Sequence, residues 1–138
     1  MGTRVLDFAA IKLMDLLASR TGARVKDCVL SESEVLLIVE PGEAGKAVGR
    51  GGANVRQLER LTRRRIRIAE YSPDVVSFIK GLVQPLELRD AAVEGDTVVL
   101  MAADSETRGL LIGRNAHRLR ALEAVVQRHF PIKEIKVR

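Results

Sequence analysis

Cysteine and long apolar runs are both scarce in this sequence, and each shortage excludes a class of protein. Cys28 is the one cysteine among 138 residues, which excludes an intrachain disulfide and a cysteine-based zinc site. No apolar run approaches the ~18 residues that a membrane-spanning helix needs. The first residues lead into an amphipathic stretch and not into a signal peptide. We therefore expect a soluble, cytoplasmic protein with no membrane partner.

Basic residues outnumber acidic residues, and the excess is concentrated in two segments. The chain has 23 Lys and Arg residues against 18 Asp and Glu residues, a formal net charge of +5 at pH 7. Residues 45–68 include eight basic residues and one acidic residue, and residues 109–138 include seven basic and two acidic residues. Two localised basic segments favour a polyanionic partner, with nucleic acid as the leading class.

The two basic segments belong to an internal repeat with an offset of 64 residues. Identical residues recur at this offset, among them Gly45 and Gly109, Gly49 and Gly113, Arg50 and Arg114, and Glu59 and Glu123. At the same offset, the apolar residues Val35, Leu36 and Leu37 match Val99, Leu100 and Met101. A repeat of this length suits a small domain and is too long for a solenoid unit. We therefore predict a tandem duplication, with domains at residues 1–71 and 72–138.

Each copy is predicted to have the same order of elements: helix, strand, strand, short helix, glycine loop, helix, strand. In the first copy, the patterns predict helices at 5–20, 43–48 and 53–64 and strands at 25–30, 35–39 and 66–68. The second copy has a predicted helix ending at 82, a helix capped by Asp104 or Ser105 and ending at 112, and a helix at 117–129. Its predicted strands span 86–93, 97–102 and 132–137. The predicted fold class is α+β.

The segment Gly49-Arg50-Gly51-Gly52 joins two predicted helices and has the properties of a phosphate-binding turn. Glycines permit a close approach of the backbone, and the next helix presents unpaired N–H groups and a positive dipole end. Arg50 adds a full charge at the tip. A P-loop is excluded because Glu40 and Ala47 replace its glycine and its Ser or Thr. A Rossmann fingerprint is excluded because Asn54 replaces its last glycine and a helix, not a strand, precedes the loop.

This loop and its flanking residues, Val48 before it and Val55 and Arg56 after it, resemble the K-homology (KH) motif. The order of elements resembles the prokaryotic, type II, KH topology. The resemblance implies two tandem type II KH domains, each a three-stranded sheet packed on one side by about three helices. In this family the G-x-x-G loop clamps the backbone of single-stranded RNA. The low aromatic content, 3%, agrees, because base-stacking platforms of other RNA-binding folds need aromatic side chains.

Over essentially its whole length, the sequence resembles the archaeal NusA-like transcription factors. The resemblance rests on residues 41–55, on the linker at 70–74 that leads to Phe78 and Ile79, and on Leu111-Ile112-Gly113-Arg114-Asn115. It implies binding of single-stranded RNA across both domains, a role in transcription elongation, pausing or termination, and RNA polymerase as a further partner. Two alternatives remain open: a ribosome-associated or rRNA-maturation KH protein, and a protein-interaction scaffold with vestigial loops.

The RNA-binding residues implied by the resemblance lie on the two loops and on the helices beside them. They are Lys46, Gly49, Arg50, Gly51, Gly52, Asn54, Arg56, Arg60, Gly113, Arg114, Asn115, Ala116 and Arg118. In the second loop, Ala116 occupies the place of the second motif glycine, which weakens the expected site. Asn115 tolerates turn conformations, so phosphate binding by this loop is a hypothesis, with a scaffold role as its alternative.

No constellation of residues indicates catalysis or metal binding. His117 and His129 lack carboxylate or cysteine companions at ligand spacing, and both are predicted to lie on the surface. Cys28 is predicted to be a small core residue. The serines have no obvious partner histidine, and the carboxylates are dispersed among turns and helix starts. We therefore expect a binding protein and not an enzyme, with no cofactor, no metal and no small-molecule substrate.

Overall fold

The computed structural model describes residues 8–138 as two compact units, one ending at Ser72 and the other starting at Pro73. Each unit has one three-stranded sheet and three α-helices among these residues. The fold class is therefore α+β, as predicted. The first predicted helix starts at residue 5, and its residues 5–7 lie outside the described residues.

In the first unit, a central strand pairs with one neighbour in each direction. The elements are α1 (Phe8–Thr21), β1 (Val25–Leu30), β2 (Glu34–Val39), α2 (Ala44–Val48), α3 (Ala53–Thr62) and β3 (Arg65–Glu70). The central strand β2 is antiparallel to β1 and parallel to β3. A parallel pair needs a crossover connection, and α2 and α3 provide it.

The core of the first unit joins one side of the sheet to all three helices. Its members include Val35, Leu37 and Val39 of β2 together with Leu17 of α1, Ala47 of α2 and Leu58 of α3. Cys28 belongs to the same cluster and is 4% exposed, which confirms its predicted core position. The remaining side chains of β2 after Glu34 are buried too, so this strand is covered on both faces.

The second unit repeats this arrangement. Its elements are α4 (Val75–Val83), β4 (Leu88–Glu94), β5 (Thr97–Ala102), α5 (Ser105–Ile112), α6 (His117–Gln127) and β6 (Glu134–Val137). The central strand β5 is antiparallel to β4 and parallel to β6. The ring of His129 meets the buried ring of Phe78 edge-on, with 5.7 Å between centroids. His129 is half-buried, so its predicted surface position is wrong: the segment after α6 packs against α4.

The first two strands of each unit correspond at an offset of 63 residues, not at the 64 residues that align the loops, and the third strands correspond at an offset of 69 residues. In each sheet, a buried valine of the central strand pairs with an isoleucine of the third strand: Val35 with Ile66, and Val98 with Ile135. The predicted match of Val35 with Val99 is therefore wrong by one residue. A shift of one residue moves every side chain of a strand to the opposite face. The sequence concealed this shift because residues of both faces are apolar.

A glutamate of the helix after each loop anchors the third strand. Glu59 of α3 accepts a hydrogen bond from the backbone N–H of Ile66 at 3.1 Å. Glu123 of α6 accepts one from the backbone N–H of Ile135 at 2.8 Å. These two glutamates are 64 residues apart and perform the same task. They fix the orientation of the helix that each loop leads into, and thereby position the candidate site.

Candidate nucleic-acid interface

The first loop, residues 49–52, begins with a glycine that the geometry requires. Gly49 has φ 80° and ψ 169°, and its N–H donates to the carbonyl of Gly45 at 3.0 Å, which ends α2. A Cβ atom at Gly49 would lie 2.6 Å from Nδ2 and 2.8 Å from Cγ of Asn54. These φ and ψ values belong to a region that is essentially restricted to glycine. Gly49 therefore permits the close approach of the first loop to the start of α3.

The rest of the first loop is one 3-10 turn that leads into α3. Gly51 and Gly52 both have positive φ, 60° and 78°, and the N–H of Gly52 donates to the carbonyl of Gly49 at 3.1 Å. Arg50, at the tip, is exposed. Among the described residues, no carboxylate lies within ion-pair distance of its guanidinium. The first loop thus presents a full positive charge to solvent.

The second loop, residues 113–116, follows the same backbone path although it has one glycine. Gly113 has φ 75° and ψ 177°, and a Cβ atom there would lie 2.7 Å from Cγ of Arg118. Asn115 and Ala116 have φ 55° and 59°, values that residues other than glycine adopt rarely. The N–H of Ala116 donates to the carbonyl of Gly113 at 3.2 Å, as in the first loop. The loop geometry is therefore retained where the glycines are not.

The helices that follow the two loops begin without a side-chain cap. Gly52 precedes α3 and Ala116 precedes α6, and neither residue has a side-chain acceptor for the first turn. In contrast, Asp74 caps α4 and Asp104 caps α5, each accepting a backbone N–H, at 3.0 Å and 2.7 Å. The first N–H of each helix, that of Ala53 or His117, donates to a loop carbonyl, that of Arg50 or Arg114. Because no carboxylate caps these helices, the positive ends of their dipoles remain available to an anion.

A side chain of the following helix is tied to the preceding helix across each loop. Asn54 donates from Nδ2 to the carbonyl of Lys46 at 3.1 Å, and Arg118 donates from Nη1 to the carbonyl of Leu110 at 3.3 Å. Both donors belong to the predicted RNA-binding set, and the structure gives each a bracing role. The sequence carried no signal for this role, because the two residues stand at equivalent positions but differ in chemistry.

Three other predicted residues lie on the helices beside the first loop. Lys46 of α2 is exposed, and its Nζ is 3.8 Å from Oε2 of Glu43. Arg56 of α3 donates from Nη1 to the carbonyl of Gly51, so its guanidinium is held against the first loop. Arg60, one turn further along α3, is exposed. The structure thus gathers the predicted residues of the first unit around one loop and the helices on either side of it.

The predicted residues of the second unit gather in the same way around the second loop. Arg114 is exposed at the tip, with no carboxylate within ion-pair distance among the described residues. Together with Asn115, His117 and Arg118 it lines an open depression of about 490 Å³. His117 is exposed, as predicted, and is the first residue of α6. The sequence indicates that His117 belongs to this site, because His117 directly follows the second loop.

Two kinds of site are absent from the described part of the chain. Among residues 8–138, no three His, Cys, Asp or Glu side chains lie close enough together to hold a metal ion. In that range, no helix is both long enough and apolar enough to cross a membrane.

Comparisons with known proteins give a consistent result. No family model matches the chain. It is 33% identical over 116 residues to the probable transcription termination protein NusA of Methanocaldococcus jannaschii, covering 82% of this chain and 63% of that protein. It is 31% identical over 130 residues to the protein of that name from Methanococcus vannielii, covering 92% and 75%. The protein of that name from Halobacterium salinarum is 29% identical over 130 residues, covering 93% and 94%.

A solved structure shares the fold. The crystal structure of APE1850 matches with a TM-score of 0.76 and 22% identity, over 96% of this chain and 100% of that chain. At this identity, the match supports the arrangement of helices and strands alone. The sequence matches go further, because the Methanococcus vannielii protein is above 30% identity over three quarters of its own length. With its two loop-bearing α+β units, the chain belongs to the family of archaeal proteins named probable transcription termination protein NusA.

Proposed function

We propose that this protein binds single-stranded RNA with its two loops and acts in transcription elongation and termination. In this proposal each unit is a type II KH domain, the domains span residues 1–71 and 72–138, and RNA polymerase is a further partner. The name shared by the archaeal relatives, probable transcription termination protein NusA, supports the transcriptional role. The geometry of the loops supports the contact with RNA.

One observation carries the RNA-binding proposal: the same loop path occurs in both units, each time before an uncapped helix. In each unit the loop adds an exposed arginine, Arg50 or Arg114, that no carboxylate in the described residues neutralises. A positive helix end without a carboxylate cap and an exposed arginine together suit a phosphate group. Such contacts hold a sugar-phosphate backbone without reading the bases.

The predicted RNA-binding residues divide into contacts and supports in this proposal. Arg50 and Arg114 contact phosphates directly, with Lys46, Arg60 and His117 as further groups near the backbone. Gly49 and Gly113 allow the close approach of the loops. A second set of side chains holds the loops in shape through hydrogen bonds, namely Asn54, Arg56 and Arg118.

A pair of substitutions of equal size tests the first loop. Gly51 has a positive φ and nothing within 4 Å of a Cβ atom, and the second loop already has asparagine at this position, Asn115. Gly51→Asn and Gly51→Asp therefore fit alike and differ by one negative charge. In fluorescence-anisotropy titrations with single-stranded RNA, we expect the Asp variant to bind at least about tenfold more weakly than the Asn variant. Equal affinities of the two variants would contradict the phosphate-clamp proposal.

The second loop is tested in the same way with Asn115→Asp, and the choice of nucleic acid is tested with matched duplex RNA and DNA. We expect tighter binding of the single strand, and affinity that falls steeply as salt rises. We also expect Gly51→Asp to weaken binding more than Asn115→Asp. The transcriptional role predicts co-purification with RNA polymerase; co-purification with small ribosomal subunits instead would favour the ribosome-associated alternative.

A further inference from the structure

Three arginines follow one another along α3 and at its end, leading away from the first loop. Arg56 and Arg60 stand at positions i and i+4, which share one face of a helix, and Arg63 directly follows the last residue of α3. All three are exposed. We call these three residues the arginine stripe. It begins at the first loop, because Arg56 donates a hydrogen bond to the carbonyl of Gly51, and it extends about 10 Å along the helix axis.

The arginine stripe has no acidic counterpart in the described part of the chain. No carboxylate lies within ion-pair distance of Arg56, Arg60 or Arg63 there. Glu59, between them in sequence, uses its carboxylate to accept the backbone N–H of Ile66. Like charges one turn apart destabilise a helix. The helix dipole favours basic residues in the last turn of α3, and the repulsion between neighbouring arginines is relieved beside a polyanion.

The backbone at Arg63 adds a second, independent observation. Arg63 follows the last residue of α3 with φ 56° and ψ 33°, the left-handed conformation that glycine or asparagine adopts at most helix ends of this kind. At the end of α6, Arg128 has φ −68° instead. This conformation is unfavourable for arginine. Its presence at the far end of the stripe therefore indicates that the positive charge of Arg63 has a function.

The second unit lacks an arginine stripe, so the stripe is not a general requirement of the fold. At the offset of 64, the positions of Arg60 and Arg63 are occupied by Ala124 and Gln127. Arg120, the counterpart of Arg56, donates to both carboxylate oxygens of Glu123 at 2.9 Å. Its charge is therefore neutralised.

We propose that Arg60 and Arg63 of the arginine stripe bind further phosphates of the single-stranded RNA whose backbone the first loop holds. Successive arginines are about 4.5–6 Å apart along the axis, and their long side chains adjust to the spacing of consecutive phosphates. The stripe lengthens the RNA contact of the first unit beyond the first loop. This inference rests on the proposed function, since it assumes that the first loop grips the same strand.

The test compares a short and a long RNA strand. In anisotropy titrations we expect Arg60→Ala, Arg63→Gly and the double variant to lose less affinity for a four-nucleotide strand than for a ten-nucleotide strand. For a ten-nucleotide strand, we expect the double variant to bind roughly tenfold more weakly. The slope of log affinity against log salt should fall by about 0.7 for each phosphate that the variant no longer binds.

Arg63→Gly separates a binding role from a structural one. Glycine suits the left-handed conformation, so we expect this variant to unfold at a temperature a few degrees higher than the wild type. The same variant should bind the long strand more weakly. A double variant of α1, Lys12→Ala with Arg20→Ala, removes two exposed charges from another element and serves as the control, with wild-type binding of both strands expected.

Four other outcomes would contradict the stripe proposal, either alone or together with the proposed function. If Gly51→Asp weakens binding and the stripe variants do not, the stripe proposal fails and the proposed function stands. If the stripe variants weaken short and long strands equally, or no more than the α1 control does, the stripe acts only through net charge and the proposal fails. If the stripe variants keep RNA affinity but lose co-purification with RNA polymerase, the stripe belongs to a protein partner. If the wild type binds neither strand, both the proposed function and the stripe proposal fail.

Discussion

The two loops of this protein reach the same conformation from different sequences. Gly51 and Asn115 have φ 60° and 55°, and Gly52 and Ala116 have φ 78° and 59°. The helices on either side and the braces across each loop are common to both units. The comparison shows that glycine is required at the start of each loop, where a Cβ atom has no room, and is only preferred in the second half. The G-x-x-G pattern is therefore an incomplete description of the loop, because the surrounding helices also determine the backbone conformation of the turn.

The two units also differ in the charged side chains of the helix that follows each loop. In the first unit, α3 and the residue that follows it present three exposed arginines without an ion-pair partner among the described residues. In the second unit, Glu123 neutralises the one arginine at an equivalent position. What α6 adds instead is His117, beside the second loop. Under the proposed function, equal loop geometry with unequal charge predicts that the two units differ in their affinity for RNA.

The largest expected effect comes from the first glycine of each loop. Gly49→Ala or Gly113→Ala should destabilise its own unit by about 3 kcal/mol, because the new Cβ atom collides with the next helix and the backbone conformation is unfavourable. Urea unfolding followed by circular dichroism measures the loss.

The controls for this prediction are Gly45→Ala and Gly109→Ala, within α2 and α5. Neither glycine has an atom within 4 Å of a Cβ atom, and neither has a positive φ. Alanine there should stabilise the helix by roughly 0.5–1 kcal/mol. A loss at Gly49 no larger than the change at Gly45 would show that the close approach to Asn54 is not a constraint.

A reciprocal exchange at the second half of the loops should give a smaller effect. Ala116→Gly relieves an unfavourable left-handed alanine and should stabilise the second unit by about 1 kcal/mol. Gly52→Ala imposes the same cost on the first unit, with its Cβ atom 3.4 Å from Nη1 of Arg56. Thermal unfolding should show shifts of a few degrees in opposite directions. Shifts of the same sign would mean that the two loops are not equivalent in energy.

The smallest effect concerns the aspartate caps of the second unit. Hydrogen bonds from the side chain and the backbone N–H of Ser77 hold the pKa of Asp74 below its ordinary value of 3.8. The pKa of Asp104 is also below its ordinary value of 3.8, chiefly because its carboxylate accepts the backbone N–H of Thr107. A carboxyl group with a lowered folded-state pKa stabilises the fold fully above its ordinary pKa. That stabilisation is lost as the pH falls through the folded-state value. The second unit should therefore become less stable below about pH 4.

Asparagine at both caps tests this pH dependence, because it caps a helix without titrating. The double variant Asp74→Asn with Asp104→Asn should show a shallower loss of stability in acid than the wild type. Urea unfolding at a series of pH values, with amide NMR signals reporting on each unit, is the measurement. An unchanged pH profile would show that these two carboxylates do not contribute.

Local signals predicted most of the fold. Helix and strand positions followed from apolar periodicity, and the bounds of β1, at 25–30, and β5, at 97–102, agree with the structure. The predicted helix at 53–64 ends two residues early, at Thr62, because Arg63 adopts a left-handed conformation. Propensity gives no warning of this, since arginine is a good helix former. The sequence predicted the two loops of the candidate site. It did not predict the hydrogen bonds from Asn54 and Arg118 that join the helices on either side of each loop.

By itself, the sequence determined that the chain has two similar α+β units, each with a positively charged loop between helices. These features depend on neighbouring residues, and periodicity, glycine and charge report them directly. Only the tertiary structure decided that the first two strands of each unit correspond at an offset of 63, that Ala116 adopts the conformation of a glycine, and that Glu59 and Glu123 anchor the third strands. Each of these depends on residues brought together by packing, and contacts between such segments leave no periodic or local trace in the sequence.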